Sequence, residues 1–107
     1  MEKMKKIVQI NFKFKVKRSE LEEYFLKVAP MFGPSGSVKG LLWKIWLMNE
    51  AEKTAGGIYL FKDEASVKTY LKAEKHELET SPVISNAEIR VFDILTEPTK
   101  ISRGPVE

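Results

Sequence analysis

Cysteine is absent from the sequence and histidine occurs once, as His76. The first absence excludes disulfides and thiolate chemistry. The second leaves no histidine pair or carboxylate–histidine cluster for a metal site of the usual kind, and no nucleophile–base–acid arrangement to read. His76 could in principle ligate a haem iron, but no second feature points there, so no cofactor is expected. No glycine-rich phosphate loop precedes a helix, because Gly56-Gly57 leads into strand residues. No run approaches the ~18 apolar residues needed to span a bilayer. The charged start, MEKMKK, lacks the apolar core of a signal peptide. A cytoplasmic protein without membrane contact is the expectation. Charge of one sign is not concentrated either: 18 Lys+Arg face 15 acids along the whole chain. Nucleic acid is therefore not an expected partner.

What is present is an ordinary globular composition, 43% hydrophobic and 31% charged over 107 residues. A chain of this size is one domain and buries roughly 65% of its unfolded surface, enough for a core without staples. Val8, Ile10, Phe12, Phe14 and Val16 alternate with Gln9, Asn11, Lys13, Lys15 and Lys17, so period two predicts a strand over 7–17. Ser19 and Glu22 have the spacing of a capping box. Leu21, Tyr24, Phe25, Val28 and Phe32 follow as one helical stripe. Pro30, Gly33, Pro34 and Gly36 then break the helix into a loop, either a cover over a pocket or a plain connection.

The run from Gly40 to Phe61 (GLLWKIWLMNEAEKTAGGIYLF) reads as a hairpin joined through Asn49–Lys53. Strict alternation puts Leu41, Trp43, Ile45 and Leu47 on one face and Leu42, Trp46 and Met48 on the other. Asp63 is placed to cap a second helix carrying Ala65, Val67, Tyr70, Leu71 and Leu78, ended at Ser81-Pro82. A last strand spans 88–95. The remaining 96–107 reads as a tail that lacks its own core.

The order β-α-β-β-α-β with right-handed crossovers predicts an α+β, ferredoxin-like sandwich: an antiparallel sheet with two helices on one face, in a single domain over 1–95. The other sheet face should then show polar alternation, yet the hairpin and last strand are apolar on both faces. A homodimer packed sheet to sheet is the economical explanation.

Gly40-Leu41-Leu42-Trp43-Lys44-Ile45-Trp46, then Ala55-Gly56-Gly57-Ile58-Tyr59-Leu60-Phe61, then Asp63-Glu64, resemble the YdhR-like putative mono-oxygenase family of the dimeric α+β barrel superfamily. The resemblance spans about three quarters of the chain and is weakest in the first helix, the Gly/Pro loop and the tail. It implies a homodimeric barrel and a pocket between sheet and helices. It also implies cofactor-independent oxygenation of a small aromatic or quinol-like substrate. Such chemistry needs a base, aromatic walls and donors for a developing oxyanion. Trp43, Trp46, Tyr59 and Phe61 are candidate walls, or simply core and interface aromatics. The two tryptophans lie three apart, on opposite faces, so at most one belongs wholly to the pocket.

Gly56 and Gly57 either shape the pocket mouth or make room for a side chain across the hairpin. Lys44 is a desolvated base or oxyanion partner, or else snorkels along Trp46 into water. His76 has a suitable pKa for a base, but sits among charged neighbours on a helix. Asp93 interrupts an apolar strand and needs a partner. The alternative to catalysis is a homodimeric module that binds a small apolar or aromatic ligand.

Overall fold

The computed structural model describes residues 4–106. Its elements are β1 (Lys6–Phe14), α1 (Arg18–Val28), a 3-10 turn (Ala29–Phe32), β2 (Leu41–Asn49), β3 (Thr54–Phe61), α2 (Glu64–Thr80), β4 (Ile84–Asp93) and a short α3 (Thr96–Ile101). The strands form one sheet in the order β2-β3-β1-β4, with every adjacent pair antiparallel. That is the ferredoxin-like arrangement predicted from the element order. None of the described helices is long and apolar enough to cross a membrane.

The core follows from the alternation of β1. Val8, Ile10, Phe12 and Phe14 are buried against Leu21 of α1 and Val67, Tyr70 and Leu78 of α2. Asp63 caps α2 as its spacing predicts, its Oδ1 accepting from Ser66 N at 2.8 Å. Ser81 ends that helix.

Several boundaries differ from the sequence expectation for identifiable reasons. β1 stops at Phe14 because both neighbours run out there: β3 begins at Thr54 and β4 at Ile84. β4 begins four residues before the expected start at Glu88, since Ile84 and Ser85 pair with Phe14 and Lys13. The polar Ser85-Asn86 pair hides this extension. A register irregularity is absorbed there, with Asn86 at φ 55, a left-handed conformation that asparagine tolerates. The capping box does not form. Lys17 is the N-cap of α1 and makes no side-chain cap, while Glu22 is taken by Arg18 one turn away.

The hairpin contains a further correction. The register shifts between Leu41 and Trp43, so Leu41 pairs with Phe61 and Trp43 with Leu60. This bulge moves Leu41 to the helix-covered face, away from Trp43, and leaves Leu42 exposed. Beyond it Lys44, Trp46 and Met48 face the helices, while Trp43, Ile45 and Leu47 face outward.

The tail is ordered on its own chain. Trp43 Nε1 donates to the Pro105 carbonyl at 2.8 Å and Lys5 Nζ to the Val106 carbonyl at 2.7 Å, with Val106 buried. It covers the Trp43 end of the outer sheet face. Ile45 and Phe92, on that same face, remain 48% and 45% exposed.

Candidate active site

Lys44 on β2 pairs directly with Tyr59 on β3, so both side chains rise from the same face of the sheet towards the helices. Trp46 lies two residues on, opposite Gly57. Glycine at that point decides where the lysine stem runs. A Cβ on residue 57 would stand 2.9 Å from Lys44 Cε and 3.3 Å from Tyr59 Cε1. The space therefore belongs to the lysine, with Trp46 alongside it. The register is one residue away from the pairing of Trp46 with Gly56 that a turn centred on Ala51 would give.

The lysine does not run along Trp46 into water. Its ammonium lies 3.3 Å from the Trp46 ring centroid, 3.8 Å from Phe32 and 4.6 Å from Tyr59. Phe32 is brought there by the 3-10 turn after α1. The Gly/Pro loop closes on itself behind this turn, with Gly33 N bonded to Pro30 O and Val38 N to Met31 O. The rings support one another: Phe25 packs on Trp46 at 4.8 Å between centroids, and Phe32 meets Trp46 edge-on at 5.4 Å. Behind them Phe61 stacks on Tyr59 and is fully buried.

Across from the lysine, α2 presents Tyr70 and, one turn later, Glu74. Tyr70 Oη donates to Tyr59 Oη at 3.3 Å. Burial dominates the electrostatics. It pushes the Lys44 ammonium down to about 7, with the field of Glu74 pulling the other way. The ring faces, which attract a cation, also favour the ammonium. Burial raises Tyr59 to about 12, against the Tyr70 hydrogen bond, and raises Tyr70 further. It also raises the Glu74 carboxyl, opposed by Lys44. The result is an amine poised near neutrality, an acid beside it, two coupled phenols and aromatic walls.

The predicted site residues thus separate into two groups. Lys44, Trp46, Tyr59, Phe61 and Gly57 gather on the helix-covered face. Trp43 is on the other face, hydrogen-bonded to the tail, and Phe61 is buried behind Tyr59, so of the four expected walls only Trp46 and Tyr59 meet the lysine, joined by Phe32. Gly56 faces outward opposite Leu47, where a Cβ would strike the Ile10 carbonyl oxygen at 1.8 Å. Its role is strand packing. Asp93 has the partner it needed in Lys6, directly opposite on β1, but the pair lies at the exposed end of the edge strand β4. His76 is exposed, and two residues beyond Glu74 it points around the helix from the lysine.

Three contributors were not singled out from the sequence. Phe32 reads as helix stripe and Tyr70 as core. Glu74 had a visible signal, since it occupies an apolar-stripe position between Tyr70 and Leu78 at four-residue spacing. An acid at such a position is buried for a reason.

Solved structures share this fold. A protein of unknown function from Nitrosomonas europaea superposes with a TM-score of 0.68 at 17% identity, over 89% of this chain and 93% of that one. SnoaB, a cofactor-independent oxygenase from Streptomyces nogalater, gives 0.64 at 15% identity over 85% and 93%. The heme-degrader MhuD from Mycobacterium tuberculosis, with two hemes bound in its active site, gives 0.61 at 17% over 83% and 95%. At these identities the likeness is one of fold. No curated protein matches the chain. A family model described as putative mono-oxygenase ydhR matches residues 7–105, and the chain belongs to that family.

Proposed function

We propose that this protein oxygenates a small aromatic or quinol-like substrate with dioxygen, without metal or flavin, between the sheet and the helices. The observation that carries this reading is Lys44, held among Trp46, Phe32 and Tyr59 with its ammonium brought down to about 7. Near neutral pH such an amine exists substantially as free base, which is what proton abstraction from an acidic C–H requires. The rings hold a flat substrate and shield its anion from water. Burial keeps both phenols protonated, and Tyr59, which accepts from Tyr70, keeps its own O–H as a donor for the oxyanion.

The chemistry balances without an outside reductant. Lys44 takes a proton from an activated methylene carbon, and the resulting carbanion reduces dioxygen and forms a C–O bond to it. The O–O bond then breaks, giving a carbonyl and one water, so the four electrons lost by the carbon are those gained by dioxygen. Haem, which one structural neighbour holds, finds no histidine on this face, so no step is assigned to it.

Oxygen uptake with anthrone and dihydroxynaphthalene substrates, in the presence of chelator, tests the proposal. Uptake stoichiometric with carbonyl product is expected. Tryptophan quenching by the same compounds without uptake would leave a ligand-binding module, the second reading.

The assembly proposed is a homodimer through the outer sheet face, because Ile45 and Phe92 stay half exposed there beside Leu47 and Ile58. Light scattering at micromolar protein should give twice the chain mass. A monomer mass independent of concentration would overturn it.

A further inference from the structure

A cleft lies where the tail meets β2, apart from the Lys44 side of the sheet. Trp43, Lys100, Arg103, Gly104 and Pro105 line this cleft of about 430 Å³ on the outer side of the sheet. The Trp43 indole N–H is already spent on the Pro105 carbonyl at 2.8 Å, which fixes the ring as one wall. Opposite it Arg103 sits just past the end of α3 with φ 67, a left-handed conformation that a side chain with a Cβ adopts at a cost. Glycine is the usual occupant of such a position. Here the glycine is the next residue, Gly104, where a Cβ would come 2.4 Å from Thr99 Cγ2.

The carbonyls at the end of α3 would repel an anion, but they are occupied. Ser102 N bonds to Pro98 O, Arg103 N to Lys100 O and Gly104 N to Thr99 O, at 2.8–3.1 Å. Among the described residues that line the cleft there is no acid. Among the described residues no ion pair engages the Arg103 guanidinium.

We propose that this cleft binds a small planar aromatic carboxylate, its ring on the Trp43 indole and its carboxylate on the Arg103 guanidinium. Stacking uses the one large aromatic face in the cleft, and a guanidinium matches a carboxylate with two parallel N–H donors. Arg103 lines the cleft from the position immediately after the helix.

The test uses 2-naphthoate and the variant Arg103→Gly, in which the predicted effects on binding and stability have opposite signs. In a Trp46→Phe background Trp43 is the sole indole, and 2-naphthoate should quench it. Arg103→Gly in that background should weaken binding at least 10-fold while leaving Tm unchanged or higher, since glycine relieves the left-handed backbone. Neutral 2-naphthol should bind far more weakly than the carboxylate. Calorimetry on the unaltered chain and its Arg103→Gly variant reads the same loss without the Trp46 change. Equal affinity of the variant, equal binding of 2-naphthol, or no quenching at millimolar 2-naphthoate would each overturn the proposal.

Discussion

Lys44→Met should reduce the rate of substrate oxygenation by about 10²–10⁴-fold, the usual contribution of a positioned base. Its effect on the pH profile is more diagnostic than the size of the loss. In the wild type the rate should rise through pH of about 7 as Lys44 loses its proton, then level off. Glu74→Gln should move that limb to lower pH, because Glu74 is the charge that pulls the lysine upward. Lys44→Met should remove the limb altogether. A limb that persists in Lys44→Met assigns the base elsewhere.

The same group makes stability depend on pH. Lys44 titrates near 7 in the folded chain and near the ordinary 10.5 when unfolded, so between those values the unfolded state binds more protons. Stability from this residue therefore rises as pH climbs from about 7 to about 10.5, and the full penalty is present below 7. The shift corresponds to something on the order of 3–5 kcal/mol, with the ring faces reducing it. Urea denaturation of wild type and Lys44→Met across that range checks the sign. The wild-type curve should gain relative to the variant as pH rises, and a flat difference would contradict the buried, desolvated amine.

Gly56→Ala and Gly57→Ala should behave as opposites although the residues are adjacent. At Gly56 the new Cβ would meet the Ile10 carbonyl oxygen at 1.8 Å, Ile10 C at 2.8 Å and Asn11 Cα at 3.1 Å. All of these are backbone of β1, hydrogen-bonded into the sheet centre, and no rotamer can relieve them. The strand pair itself has to separate, so a loss of about 3 kcal/mol or more, or failure to fold, is expected. At Gly57 the first atom met is Lys44 Cε, the far part of a flexible side chain, and the Ile45 carbonyl oxygen at 3.1 Å has to give only slightly. Gly57→Ala should fold with a cost of about 1 kcal/mol, yet displace the ammonium from its rings. Trp46 emission and the pH limb should both change, while the urea midpoint should fall far less than in Gly56→Ala. A Gly56→Ala protein with wild-type stability would refute the register placed here.

The amino-acid sequence by itself determined the fold class, the four strands and the two long helices, because alternation in β1, the stripes of α1 and α2 and the doubly apolar hairpin are local patterns; the short α3 within the expected tail was not among them. It also determined that Trp43 and Trp46 face opposite ways, since the pleat admits no other arrangement for residues three apart beyond the bulge. Only the tertiary structure decided which face was which. The bulge at Leu41–Leu42, the one-residue register of Trp46 against Gly57, and the extension of β4 to Ile84 depend on pairing between strands distant in sequence. The candidate site is of the same kind. The Lys44 amine is brought towards neutrality only because Phe32 from a turn and Trp46 and Tyr59 from the hairpin close around it and remove its water, while Glu74 from α2 opposes that shift. Desolvation is a property of the assembled core, and no window along the chain contains it.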